Sequence, residues 1–125
     1  MMRPTPLLTL LALAAPAMAV FAHPAAAADG AAIFQTNCAV CHSVDAGTNK
    51  LGPSLFGIVG RKSASVDSFT YSPAMMKAGL TWDAATLDKY LTDPQALVPG
   101  TKMILLGIKS GDDRKALIDF LAAQN

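Results

Sequence analysis

Residues Cys38-Ala39-Val40-Cys41-His42 constrain this chain more than any other stretch. On a helical turn, positions 38 and 41 are i and i+3, so both sulfurs project from one face. His42, at i+4 from Cys38, lies on the same side. Two thiols so placed can add to the two vinyl groups on one edge of a haem, and the imidazole can swing under the ring to reach iron. Three other readings compete. A thiol–disulfide redox pair usually accompanies a βαβ pattern, and none is visible. Half of a zinc site needs a second Cys pair or further His, but the chain has two Cys and two His in all. An incidental structural disulfide leaves the adjacent His without a role. The export signal and the unfilled loops described next favour covalent haem.

Residues 1–28 read as a secretory leader. Arg3 supplies the positive charge, and Leu7 to Phe21 is apolar except for Thr9 and Pro16. Ala26-Ala27-Ala28 before Asp29 fits a small-residue cleavage site, with Ala17-Met18-Ala19 as a second candidate. The run is shorter than the roughly 18–20 apolar residues that cross a bilayer, so cleavage is expected rather than a retained anchor. The predicted organisation is a leader at 1–28 and one domain at 29–125, exported to a bacterial periplasm, with no stable membrane insertion after cleavage. Removing 28 of the 125 residues leaves 97. The whole chain is 52% apolar, but the expected mature part falls to about 46%, normal for a soluble domain. The leader takes Arg3 and His23 with it. Nine basic residues then face nine acidic ones, all Asp, and His42 is the only His. A balance so near neutral argues against a nucleic-acid partner.

The 29–125 segment predicts three main helices. Asp29 caps one running through Ile33 and Phe34 to about Cys41. Thr81 caps a second through Leu87, Tyr90 and Leu91, which must stop before Pro94. Ser110 with Asp113 begins a third, whose apolar face is Leu117, Phe120 and Leu121. A shorter turn starts at Ser72-Pro73 and ends at Gly79. Between these, residues 43–71 and 92–109 show no sustained period and are rich in Gly and Pro. Aperiodic loops this long are unusual in a small domain unless something other than secondary structure fills its centre.

If iron is six-coordinate, a second axial ligand is needed, and with one His left it must come from a thioether. The candidates are Met75, Met76 and Met103. Met75 and Met76 fall in the short helical turn and read as packing residues. Met103 follows Pro99-Gly100-Thr101-Lys102 in an irregular loop that can aim one side chain inward, and it is the favoured ligand.

These stretches, together with Gly52-Pro53-Ser54-Leu55, Gly60-Arg61-Lys62, Phe69-Thr70-Tyr71-Ser72, Gly79-Leu80-Thr81-Trp82 and Tyr90-Leu91, resemble the class I c-type cytochromes. The likeness is to the mitochondrial protein and to the bacterial cytochrome c2 and c550 group, and it spans 29–125. It implies an all-α cytochrome c fold, with three main helices, short helical turns and long loops wrapped around one haem c bound through Cys38 and Cys41. The resemblance further implies that the Pro53 carbonyl bonds the His42 ring, and that Tyr71 and Trp82 donate to a haem propionate with Arg61 nearby. It puts Thr101 at the same edge, Tyr90 near the Met103 sulfur, and Gly30 against Phe120 where the first and last helices cross. The chain departs from that pattern at Met75, where the family often has Asn, and at Leu105, where it usually has an aromatic. Asn37, Gln95 and Ala96 replace lysines of mitochondrial relatives, while Lys50, Lys102 and Lys109 remain near the haem edge.

The implied function is soluble one-electron transport in a respiratory or photosynthetic chain, without an enzymatic activity. The expected protein is a monomer that meets redox partners transiently at the exposed haem edge. Two other functions share the motif. One is a haem peroxidase or gas sensor with a labile Met ligand. The other is a dedicated electron-transfer subunit of a periplasmic dehydrogenase.

Overall fold

The computed structural model describes residues 1–4, 14–22 and 27–125. Residues 5–13 and 23–26 of the expected leader lie outside the described residues. Five helices follow in order: α1 (Gly30–Asn37), α2 (Pro73–Ala78), α3 (Ala84–Thr92), α4 (Pro94–Leu97) and α5 (Gly111–Ala122). Among the described residues there is no strand, only an isolated antiparallel bridge between Lys62 and Thr81. The all-α expectation therefore holds.

Each helix starts on a side chain that accepts its orphan amides. The Asp29 carboxylate takes the amides of Ala31 and Ala32. Ser72 caps α2 with Pro73 at its first position, and Gly79 ends that helix in the left-handed region. Ser110 caps α5 through the Asp113 amide, 3.2 Å away. Two boundaries differ from the sequence expectation. Helix α1 stops at Asn37, not Cys41. Thr36 Oγ1 and Asn37 Nδ2 donate to the carbonyls of Ala32 and Ile33, each at 3.0 Å, competing with the backbone ladder. The amides of Cys38 and Ala39 then both fall on the Phe34 carbonyl, and residues 38–42 form a separate turn. Helix α3 is capped by Asp83, whose carboxylate accepts from the Thr86 amide at 2.8 Å. Thr81 is occupied by the bridge to Lys62 instead. Helix α4 lies inside a stretch expected to be loop. Asp93 both ends α3 and caps α4, and Pro94 opens it.

Helices α1 and α5 cross at Gly30. A Cβ there would collide with the Ala116 carbonyl and lie 2.7 Å from Phe120 Cβ, so only glycine permits the approach. Phe34 and Phe120 pack beside the crossing with ring centroids 5.5 Å apart. Helix α3 closes the core with Leu87 and Leu91 against Leu117, Ile118 and Leu121. On the rim, Arg114 Nε donates to Asp88 Oδ1 at 2.7 Å, and its second nitrogen takes the carbonyls of Ile108 and Lys109. This ties α3 and the chain before α5 to one guanidinium. The C-terminus also reaches the loops, where the Gly57 amide donates to the Gln124 carbonyl at 2.6 Å.

Gly30→Val is expected to lower stability by about 2 kcal/mol or more, because neither the Ala116 carbonyl nor Phe120 Cβ can retreat without parting the helices. Denaturant titration of the folded protein measures this, and an unchanged midpoint would contradict the packing.

Candidate functional site

The turn after α1 presents the two thiols and the imidazole together. The amides of Cys41 and His42 both donate to the Cys38 carbonyl, at 3.0 and 2.8 Å. Cys38 is buried and Cys41 half-buried, and neither is in a disulfide. Burial, with Cys41 adding to it, pushes the Cys38 thiol up to about 11. A thiol–disulfide exchange centre works by the opposite shift, so this environment speaks against that reading. Among the described residues no group of three or more His, Cys or Asp side chains is placed to hold a metal ion.

The following loop returns to cover the imidazole. The Gly52 amide donates to the Cys41 carbonyl at 2.8 Å, and the Leu55 amide to the Ser43 carbonyl at 2.8 Å. Ser54 Oγ donates to the Asp45 carbonyl at 2.6 Å. The loop therefore doubles back on the turn. It puts the Pro53 carbonyl 2.7 Å from His42 Nδ1. A carbonyl can only accept, so Nδ1 carries the proton and Nε2 keeps a free lone pair. Gly52 lies flat beneath the ring. A Cβ there would run into Cε1 and come within 2.7 Å of Nδ1. Burial holds the His42 pKa below its usual value. The Pro53 bond opposes this in part, and the charges of Arg61 and Lys50 add to the lowering. The imidazole is thus kept neutral, the form that can ligate iron.

A second group gathers around Arg61. The bridge pairs Gly60–Ser63 with Leu80–Trp82: the Gly60 amide meets the Trp82 carbonyl and the Trp82 amide the Arg61 carbonyl, both at 2.8 Å. The guanidinium gives its terminal nitrogens to the carbonyls of Phe56 and Ser54, each at 3.0 Å. Among the described residues, Arg61 Nε is the buried side-chain nitrogen left without a partner. Tyr71 Oη accepts from the Val66 amide at 3.1 Å, which leaves its own proton free to donate. Trp82 is buried and packs tilted against Tyr90, with centroids 4.9 Å apart and ring planes at 41°. An orphaned guanidinium N–H with a free phenol proton fits the carboxylates of a haem, and the glycine beneath His42 fits a ring pressed toward iron.

The third group holds the Met103 loop. Tyr90 Oη and Thr101 Oγ1 are paired at 2.7 Å in a buried position. Thr101 Oγ1 also accepts from the Met103 amide at 3.4 Å. Thr101 therefore sits between Tyr90 and the Met103 backbone. Burial raises the Tyr90 pKa, offset in part by the Thr101 bond. Met103 is half-buried. Met75 is buried, as expected of a packing residue, but Met76 is not: it is 68% exposed on the outer side of α2.

Sequence reasoning missed two contributors. Asn49 joins the two loops: its Oδ1 accepts from the Ser54 amide at 2.9 Å, and its Nδ2 donates to Ser68 Oγ at 2.9 Å. Gln95 gives Nε2 to the Thr101 carbonyl at 3.0 Å and accepts from the Gly100 amide, bracing the Met103 loop. Neither residue stands in a motif; only the fold brings each beside its partner.

The family model described as Cytochrome c matches residues 27–125. The chain belongs to the cytochrome c family. This cytochrome is 51% identical over 94 residues to "Cytochrome c2 iso-2" of Magnetospirillum molischianum, covering 75% of this chain and 96% of that protein. It is 47% identical over 97 residues to "Cytochrome c2" of Rhodomicrobium vannielii, covering 77% of each. Among solved structures, cytochrome cH from Methylobacterium extorquens matches with a TM-score of 0.70 at 39% identity, over 75% of this chain and 94% of that one. The cytochrome c fold, covalently attached haem c and a cytochrome c2-like role in electron transport follow.

Gly52→Ala is expected to push the imidazole off the Pro53 carbonyl. The result is a displaced ring N–H resonance for His42 in NMR spectra and a stability loss of about 1–3 kcal/mol. An unmoved resonance would show that the ring does not depend on this glycine.

Proposed function

We propose that this cytochrome is a periplasmic one-electron carrier in which His42 and Met103 would hold the haem iron. The observation that carries the reading is the single hydrogen bond at His42. It fixes the tautomer, leaves the Nε2 lone pair free and raises the basicity of that nitrogen. When bound, the haem supplies a ferric/ferrous couple. Met103 adds a soft thioether that favours the ferrous state and raises the potential. Thr101 and Tyr90 hold the backbone of that ligand, so it need not move when the charge on iron changes. Arg61, Tyr71 and Trp82 would hold the haem propionates, with the unpaired Arg61 Nε as a donor available to them. Cys38 and Cys41 tether the ring by thioethers. With His42 and Met103 both given to iron, the chain would offer no open site for a substrate, and we propose no enzymatic turnover.

The leader reading belongs to the same proposal. Export with cleavage after Ala28 delivers a 97-residue monomer to the periplasm. Among the described residues no helix is long and apolar enough to cross a membrane. Partners then meet the protein transiently at the haem edge.

Two measurements test these points. The ferric protein is expected to show the weak far-red band of thioether-to-iron ligation. Met103→Ala abolishes that band and Met75→Ala leaves it; a band that survives Met103→Ala would remove Met103 from the iron. Intact-mass analysis of the exported protein is expected to give a chain starting at Asp29 plus one haem. A mass that includes residues 1–28 would replace cleavage with retention.

A further inference from the structure

We propose that Gln95 is a positioning residue for Met103: its carboxamide clamps the turn that carries this ligand and sets how rarely Met103 would leave the haem iron. This deepens the ligand reading above, on which it rests. Val98-Pro99-Gly100-Thr101 is a turn, closed by the Thr101 amide on the Val98 carbonyl at 3.0 Å. Pro99 stands second, and Gly100 stands third with φ 91°, the positive value that a type II turn asks of that position. Pro99 and Gly100 are exposed, so water competes for the polar groups on the outside of this turn. Gln95 takes two of them. Its Oε1 accepts from the Gly100 amide at 3.2 Å, and its Nε2 donates to the Thr101 carbonyl at 3.0 Å. A carboxamide carries a donor and an acceptor in one plane, whereas a carboxylate has no donor and an ammonium no acceptor.

With this clamp every polar group of Thr101 is engaged. Its amide is on Val98, its carbonyl on Gln95, and its Oγ1 is paired with Tyr90 Oη and accepts from the Met103 amide. Tyr90 grips the threonine from the buried side and Gln95 from the exposed side, two residues before Met103. Helix α2 backs the turn, since a Cβ on Gly100 would lie 3.2 Å from Ala74 Cβ. The base of the clamp is itself fixed. Pro94, next to Gln95, is fully buried, and the Asp93 carboxylate accepts from the Ala96 amide at 3.1 Å. One neutral hydrogen bond shifts an opening equilibrium by about twofold to tenfold, so two exposed ones together govern about tenfold. Gln95 touches neither Met103 nor the ring site in any recorded bond, and its effect passes through Thr101.

The test mixes the haem-loaded ferric protein with imidazole in a stopped-flow spectrometer. Imidazole can reach iron only after Met103 leaves, so the observed rate levels off at the rate of that departure. Gln95→Ala is expected to raise the plateau about tenfold, Gln95→Glu at least as much, and Gln95→Lys about threefold, because an ammonium can still meet the Thr101 carbonyl. Hydrogen exchange of the Thr101 amide is expected to quicken in the same order, a readout that does not involve the iron. Gln95 is exposed, and a far-red band present before mixing verifies that each variant keeps its fold and ligand. Ile118→Val thins the buried face of α5, lowers the denaturant midpoint and leaves the plateau within about twofold of the unaltered protein. A Gln95→Ala plateau equal to that of the unaltered protein would overturn the proposal. So would a rise that Ile118→Val reproduces, since general loosening would then account for it. Absence of the far-red band from the unaltered protein would bring down the Met103 reading and the clamp with it. A sound band with plateaus indifferent to residue 95 would bring down the clamp alone.

Discussion

The confinement of one imidazole governs the rest of this molecule. His42 is gripped on one edge by the Pro53 carbonyl and on one face by the bare backbone of Gly52. Neither partner lies in regular secondary structure. Both are delivered by a loop that must double back on the Cys38–His42 turn, and its hydrogen bonds serve that return. The amides of Gly52 and Leu55 go to carbonyls at Cys41 and Ser43, and the Ser54 hydroxyl goes to Asp45. Each satisfies a polar group that would otherwise be stranded against an apolar interior, so holding the ring and closing the loop are one requirement.

The helices do different work. α1, α3 and α5 assemble a dry frame around Phe34, Leu91 and Leu117 and carry little of the chemistry. Their contribution is placement. α1 ends where Thr36 and Asn37 unsettle its ladder, and that premature end releases the cysteine turn from the helix axis. α3 presents Tyr90 to Thr101. The bridge at Lys62 and Thr81, too short to be a sheet, brings Arg61 beside Trp82. A fold with this division can keep its frame while its loops vary.

The sequence made visible what depends on local chemistry. Asp29, Ser72 and Ser110 were readable as caps because their side chains act within three residues of themselves. The cysteine turn and His42 were readable from spacing. The Pro53 carbonyl, which lies eleven residues from His42, came through family likeness and not from any periodicity. Asp93-Pro94 carried a cap and a first-turn proline, and α4 was missed because a four-residue helix has no apolar period to reveal it. Thr81 was misassigned because its partner Lys62 is distant in the chain. The orphaned Arg61 Nε depends on where the backbone carbonyls around its guanidinium lie, and no residue type encodes that.

Asn49 joins two segments that have no secondary structure of their own. Its amide bonds to the strand of chain carrying Pro53 and to the one leading to Tyr71. These stretches are therefore coupled as a single opening unit, and a fluctuation that frees one loosens the other. A carboxamide carries no charge at any acidity the protein meets. The clasp itself has no proton to gain or lose, in contrast to a fastening made by a titrating side chain.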